Sequence, residues 1–468
     1  MRRTDIIFWA LLLMVCWLPL PFGSVQAWAW SLMVIAAGLL LIAWGVTTAV
    51  AGSPTPHGLG RVKWSVVGFL IAGLWGLIQV STATPAAWHH PIWAIAAETL
   101  SVPVAGRIAI NPQAAVSTLL RLASYAIIFW LAFQYGRDRR LAHLGMCGVA
   151  MTSSIVAALG IVPWLIGWDG FLWFDREFMQ RQLQVGARLA IPFVNPNHLA
   201  SYAGIGLLCG IGVLVGDTRG LWRPETQPRE KLRRFLEVVF VRRWYVVAAC
   251  PILAVAALLS LSRAGIAAIG VGLIVLIAAL LRRSRPKVSW LFAGSAVALT
   301  AIVGAFAPSL IRLSDRLEQA SLRSDQRLEI YRNSMEAIAA SPWLGYGLGS
   351  FQSLYRMYDH SDLRRVVNAA HSTVLENILE LGIPAALALF AAILIPVVGC
   401  WRGAASRRQD QHIPAIAVAA SIMLILHSLV DFPLQIPALA ALFAFVLGLG
   451  FAQSISARHW PAMSKDLV

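Results

Sequence analysis

Residues 29–52 read AWSLMVIAAGLLLIAWGVTTAVAG, a run without a single charge. A hydrocarbon core of about 30 Å takes roughly 20 helical residues to cross, so this stretch alone is long enough to span a bilayer. Similar runs recur along the whole chain. Over its 468 residues, 58% are apolar and 13% charged, with a mean hydropathy of +0.70. Ordinary globular chains carry roughly a quarter charged residues, and this composition excludes a soluble protein of two or three domains. The first run ends in Pro19, Pro21 and Gly23 with no small-residue cleavage pattern, and a second follows at once. It reads as a retained span, not a signal peptide.

The expected fold is all-α: a polytopic membrane protein of about 12 transmembrane helices, near 6–22, 27–51, 64–82, 115–136, 141–167, 198–216, 244–262, 264–281, 289–308, 372–400, 413–430 and 436–456. Domain organisation follows from the gaps. Residues 1–308 form a first bundle carrying a basic loop at 217–243. The segment 309–371 is the longest extramembrane stretch, and 372–468 supplies the last three spans and a short tail. No repeat or low-complexity tract interrupts this pattern.

A net charge of +16 raises the question of nucleic acid, but the basic residues cluster in short loops between apolar runs. With the N-terminus cytoplasmic, the short inside segments hold 24 Lys and Arg and the short outside segments hold five, Arg107, Arg176, Arg181, Arg188 and Arg263. Short basic loops stay inside, so both termini are expected in the cytoplasm of a bacterial inner-membrane protein. Nucleic acid is not an expected partner. Cys16, Cys147, Cys209, Cys250 and Cys400 all fall in apolar runs without ligand-like spacing and read as small buried hydrophobes.

That orientation leaves eight arginines of 309–371 outside, where topology does not call for them. The segment SDRLEQASLRSDQRLEIYRNSMEAIAA (314–340) is helical in pattern, and Pro342 with Gly345, Gly347 and Gly349 ends it. Arg316, Arg323 and Arg327, spaced by seven and four, align on one helix face. Arg263 is the only charge between Trp244 and Leu281, at an outward hairpin in ALLSLSRAGIAAIG (257–270). An arginine there also snorkels to headgroups; topology did not need it, and we read it as functional. Arg188 precedes LAIPFVNPNHLASYAG (189–204), where Asn195 and Asn197 are placed to cap a helix whose N-terminus offers amides to an anion.

His371 opens the tenth span in NAAHSTVLENILELGIP (368–384). A group titrating near neutrality at a membrane surface suits a general base for a lipid-carried substrate, although a lone interfacial histidine also fits a structural role. Glu376 and Glu380 read as packing residues. His427 and Asp431, four apart, form either a structural pair or part of a site. His89, His90 and His360 lack metal-ligand geometry, and Asp359 and Asp362 lack the spacing that chelates a cation on a diphosphate. The residues together describe an outward cavity with several arginines and one histidine, suited to a polyanionic, membrane-anchored substrate.

The stretch SDQRLEIYRNSMEAIAASPWLGYGLGSF (324–351) followed by AAHSTVLENILELGIPAAL (369–387) resembles the signature region of the O-antigen ligase/polymerase family. SLSRAG (260–265), RLAIPFVNPNHLASY (188–202) and HSLVDFPLQIPALA (427–440) match in order, over roughly residues 185–440. The first 110 residues match in hydropathy alone. The resemblance implies a helical-membrane (GT-C-like), inverting glycosyltransferase without metal or other cofactor. Its donor is a glycan on undecaprenyl diphosphate, and the active site of the 309–371 loop faces the periplasm. Carried over, Arg188, Arg263 and Arg327 match the family's diphosphate-binding arginines, Arg323 and Arg332 match more weakly, and His371 matches its histidine; Asn197, His427 and Asp431 are supporting candidates. A ligase transfers to lipid A–core and a polymerase to another lipid-linked repeat, while some relatives modify protein; these acceptors remain open. The alternative class is a transporter or flippase for a polyanionic lipid, which more often carries charged or broken-helix features at the midplane.

Overall fold

The computed structural model describes residues 5–50, 59–166, 188–218, 227–281, 314–358, 367–407 and 410–455, with side chains throughout except at 228, 281 and 314–326. The expected span 289–308, and Arg176, Arg181, Asp359, His360 and Asp362, lie outside the described residues. All regular structure within them is helical. Eight helices are long and apolar enough to cross a membrane: α2 (Ala27–Val50), α3 (Leu59–Val80), α5 (Pro112–Tyr135), α6 (Arg139–Leu165), α7 (Pro196–Thr218), α10 (Arg263–Leu281), α14 (Ile383–Ser406) and α16 (Pro437–Ser454). A ninth is formed if the basic helix α8 (Pro228–Leu236), its π-helical extension to Arg242 and α9 (Trp244–Leu259), bent by 74°, count as one span. Two shorter apolar helices, α1 (Asp5–Trp17) and α15 (His412–Ser428), stand where the first and eleventh spans were expected.

Burial separates inner helices from lipid-facing ones. The most apolar window of α16 is 94% buried and that of α7 78%, whereas that of α2 is 11% buried. The uncharged run within α2 therefore lies at the rim. Small residues make α7 fit the centre: a Cβ at Gly206 would meet Ser153 Cβ of α6 at 2.5 Å, and one at Gly212 would collide with Ile416 of α15. Close backbone approach over small residues is how helices associate where lipid is as apolar as leucine. Helix α7 packs on α6, α9, α10 and α15, α16 on α5, α14 and α15, and α14 on α3.

One end of this bundle carries a second layer. Helix α4 (Ile92–Leu100), α11 (Ser314–Ala340), α12 (Phe351–Tyr358) and α13 (Thr373–Leu381) are joined by a small separate core around Ile330, Tyr346, Phe351, Leu354 and Leu379. The expected span 372–400 is broken at Gly382 into α13 and α14. Gly382 adopts φ 75°, ψ 161°, and a Cβ there would collide with the Trp343 carbonyl oxygen. That backbone region is accessible essentially to glycine alone, so the glycine imposes the break that hydropathy does not record. The turn Pro342–Gly347 docks on it: Ile383 N donates to Pro342 O at 2.8 Å, and Gly347 N to Glu380 O at 2.9 Å. Gln79, fully buried at the end of α3, donates to Leu344 O and Glu380 O at 2.7 and 2.9 Å.

At the opposite end the basic residues pair locally. Arg243 donates to Asp217 at 2.5 Å and to the Tyr245 hydroxyl at 2.8 Å, and it meets the His143 ring nitrogen at 2.7 Å. Arg139 pairs with Asp410, and Gln453 donates to Gly136 O at 2.7 Å.

Candidate active site

His371 sits in the loop before α13 with φ 51°, the left-handed region. Histidine visits that region more often than most residues, and here the surrounding backbone is clamped. Ala370 N donates to Glu376 Oε2 at 2.9 Å, the Tyr331 hydroxyl to His371 O at 3.0 Å, and Thr373 N to Asp431 O at 3.2 Å. Ser372 caps α13 by accepting from Leu375 N at 3.4 Å. The imidazole is thus presented from a fixed backbone, edge-on to the Phe432 ring at 5.3 Å.

Asp431 faces it. The two side chains approach to 3.8 Å between His371 Nδ1 and Asp431 Oδ1, beyond hydrogen-bond length but within ion-pair range. Asp431 is 1% exposed. Burial alone would raise its pKa; the facing His371, the charges of His198 and His427 and the Phe432 N–H outweigh that and hold the carboxyl well below the usual range. Of the two ring nitrogens of His371, Nδ1 is the one that faces this buried carboxylate.

The same carboxylate ties in the arginines. Asn197 Nδ2 donates to Asp431 Oδ2, and Asn197 Oδ1 accepts from Arg188 Nη2 at 2.9 Å. Arg188 Nε in turn donates to Ser260 O at 2.9 Å in the α9–α10 hairpin, three residues before Arg263. Across the site, Arg327 Nη1 reaches Val430 O at 3.5 Å, a long contact beside Asp431. Arg188, Asn197, Asp431, His371 and Arg327 thus form one connected neighbourhood. Arg263 opens α10 at the hairpin, exposed, with no hydrogen bond or ion pair among the described residues.

Several candidates sit differently from expectation. Asn195 does cap α7, accepting from Asn197 N at 2.9 Å, but the Asn197 side chain bridges Arg188 to Asp431 instead of capping. His427 does not pair with the Asp431 side chain; its Nδ1 meets Ser201 Oγ at 2.7 Å, and its carbonyl accepts from Asp431 N at 2.9 Å. Arg332 is exposed, with no hydrogen bond or ion pair to the cluster among the described residues. The Arg323 side chain lies outside the described residues. His89 and His90 are used locally, by Thr84 and by Ile92 N. Glu376 and Glu380 accept from Ala370 N and Phe351 N, the packing role expected of them.

Three further residues at the site are not singled out by the sequence. His198 packs against Phe432 from the other side at 4.8 Å, Tyr331 holds the His371 carbonyl, and Ser201 meets His427. Tyr331 follows Arg327 by one helical turn, a spacing available in the sequence. Nothing in the sequence marks the pairing of His198 with Phe432. Burial raises the Tyr331 pKa and keeps its hydroxyl a donor. Alongside lies a cavity of about 750 Å³ lined by Thr373, Glu376 and Phe432 but not by Arg188, Arg263 or Arg327.

These elements define an all-helical, multi-pass membrane protein. Within it, residues 248–390 match the family described as O-antigen ligase. The match takes in Arg263, Arg327 and His371 and leaves Arg188, Asn197, His427 and Asp431 outside it. No curated protein matches the chain.

Proposed function

We propose that the protein transfers a glycan from undecaprenyl diphosphate to an acceptor hydroxyl at the periplasmic face of the bacterial inner membrane, as a polymerase or ligase, with both termini cytoplasmic. The observation that carries this reading is Asn197, one amide that holds Arg188 on its oxygen and Asp431 on its nitrogen. Through it the guanidinium side of the site is fixed relative to the imidazole side. The match of residues 248–390 to the O-antigen ligase family supports the reaction class.

The chemistry follows from the groups present. The acceptor oxygen attacks the anomeric carbon from the face opposite the leaving group, the anomeric C–O bond to the diphosphate breaks, and configuration inverts. The acceptor proton passes to His371 Nε2, and the bond electrons stay on the diphosphate. Arg188, Arg263 and Arg327, with Arg323 four residues before Arg327 in the sequence, hold that diphosphate and stabilise the charge it gains. Asp431 positions the ring of His371 and stabilises the imidazolium, the part a buried carboxylate plays beside other catalytic histidines. The lipid diphosphate is already an activated leaving group, so neither nucleotide nor ATP is required.

Replacing Arg263 by Ala removes charge-assisted hydrogen bonds worth roughly 1.5–3 kcal/mol, and donor affinity is expected to fall about 10- to 100-fold. Titrating purified protein with the lipid-linked donor measures this. Unchanged affinity in Arg263→Ala would remove that residue from the clamp.

A further inference from the structure

Arg121 is a charge inside a membrane span, nine residues along α5 from its first residue, Pro112. Such a charge is costly in hydrocarbon and normally faces a partner or a cavity. Its hydrogen bonds stay on its own helix: Nε donates to Ser117 O at 3.3 Å and Nη2 to Thr118 Oγ1 at 2.8 Å. The guanidinium also lies over the Trp30 ring at 5.7 Å. Among the described residues, Nη1 has no hydrogen-bond partner and no carboxylate lies in ion-pair range of Arg121. An arginine carries five N–H donors, so most of its capacity is uncommitted.

Arg121 lines the 750 Å³ cavity, a size in the range of about 300–1,000 Å³ that takes a small ligand. Its lining combines polar groups, among them Arg121, Glu376 and Asn377, with aromatic ones, among them Phe69, Phe390 and Phe443. Glu376 and Glu380 do not compete for the guanidinium, because their carboxyls are turned to Ala370 N and Phe351 N. Burial raises both pKa values and favours their neutral form, so they set up no strong repulsion against an anion.

We infer that this cavity is a second lipid-binding site, taking an amphiphile with an anionic phosphate head on Arg121 and an apolar chain along the aromatic walls. The cavity adjoins the His371 neighbourhood through Thr373, Glu376 and Phe432, but none of Arg188, Arg263 and Arg327 lines it. Two sources supply this chemistry: a polyprenyl phosphate, as carried by a lipid-linked substrate, and a bulk anionic phospholipid. The site stands independently of the catalytic reading.

Native mass spectrometry of the full-length protein in detergent tests it, with undecaprenyl phosphate and phosphatidylglycerol added in separate experiments. Arg121→Gln removes the head-group contact, and Ala126→Trp fills the cavity from α5. Each variant is expected to retain one lipid fewer than wild type in at least one arm, and the arm that changes names the source. Arg263→Ala is the comparison. A lipid lost in Arg121→Gln and Ala126→Trp but kept in Arg263→Ala supports the cavity whatever becomes of the transfer site. Wild-type lipid counts in both arms for Arg121→Gln, or for a folded Ala126→Trp, overturn it. A lipid lost only in Arg263→Ala overturns it too and leaves the proposed function standing.

Discussion

At the scale of single residues, the proposed transfer turns on His371 and the carboxylate behind it. Asn tolerates the left-handed backbone that His371 adopts, so His371→Asn removes the imidazole with little strain. Transfer is expected to fall by about 10²- to 10⁴-fold, the contribution of a general base, with donor binding kept. Asp431→Asn removes the charge that faces Nδ1. Its expected loss is smaller, roughly 10²-fold at most, and its signature is a shifted pH profile for transfer, since that charge stabilises the imidazolium formed when the ring takes the acceptor proton. An unshifted profile assigns Asp431 a structural role alone. The sequence makes His371 visible through its place before an apolar span. It makes Asp431 visible only as a neighbour of His427, because helical spacing predicts a side-chain contact between them. The helix ends at Ser428, so Asp431 lies past it and turns to Asn197 and His371 instead.

Among the elements, α13 is where hydropathy and structure part. Residues 372–400 form one apolar run, yet Gly382 divides it, and the short helix so released carries His371 at its head and two buried glutamates along its length. Gly382→Ala forces a side chain into a glycine-only backbone region and against the Trp343 carbonyl. A loss of about 1–3 kcal/mol is expected, read as a lower unfolding temperature in detergent. The glutamates give a pH signature. Burial raises Glu376 and Glu380, for Glu380 with the charge of Glu376 added, against the opposing pull of His371 on the first and Arg121 on the second. Their folded-state values stand above the unfolded value of about 4.3. Their contribution to stability is therefore full below that value and lost as pH rises through the raised folded-state values. Thermal midpoints are expected to decline from about pH 5 towards about pH 8, and Glu380→Gln, which keeps an acceptor for Phe351 N, flattens the slope. Equal slopes in the variant and wild type contradict the assignment.

For the whole molecule, the all-helical, multi-pass class was legible from composition and run length, because about 20 apolar residues in a helix have few other uses. The centre and rim were not. The most apolar-looking early run became lipid-facing α2, whereas the glycine-rich α7 became central, and burial of that kind depends on partners far along the chain. Likewise Arg188, Arg327 and His371 each stand out in the sequence, but their meeting is made by Asn197, Ser260 and Val430, through amide and carbonyl groups that every sequence contains. A cysteine introduced at Thr82, in the loop after α3, is expected to react with a membrane-impermeant maleimide from the periplasmic side of intact spheroplasts. Labelling only after membrane disruption reverses the orientation.

The most direct measurement joins binding to chemistry in one preparation. Purified protein is given a radiolabelled glycan on undecaprenyl diphosphate and an acceptor, and donor binding and product are followed for wild type, His371→Asn and Arg327→Ala. Product is expected from wild type, donor binding without product from His371→Asn, and weakened donor binding from Arg327→Ala. Product formed by His371→Asn at the wild-type rate would contradict the assignment of His371 as the base.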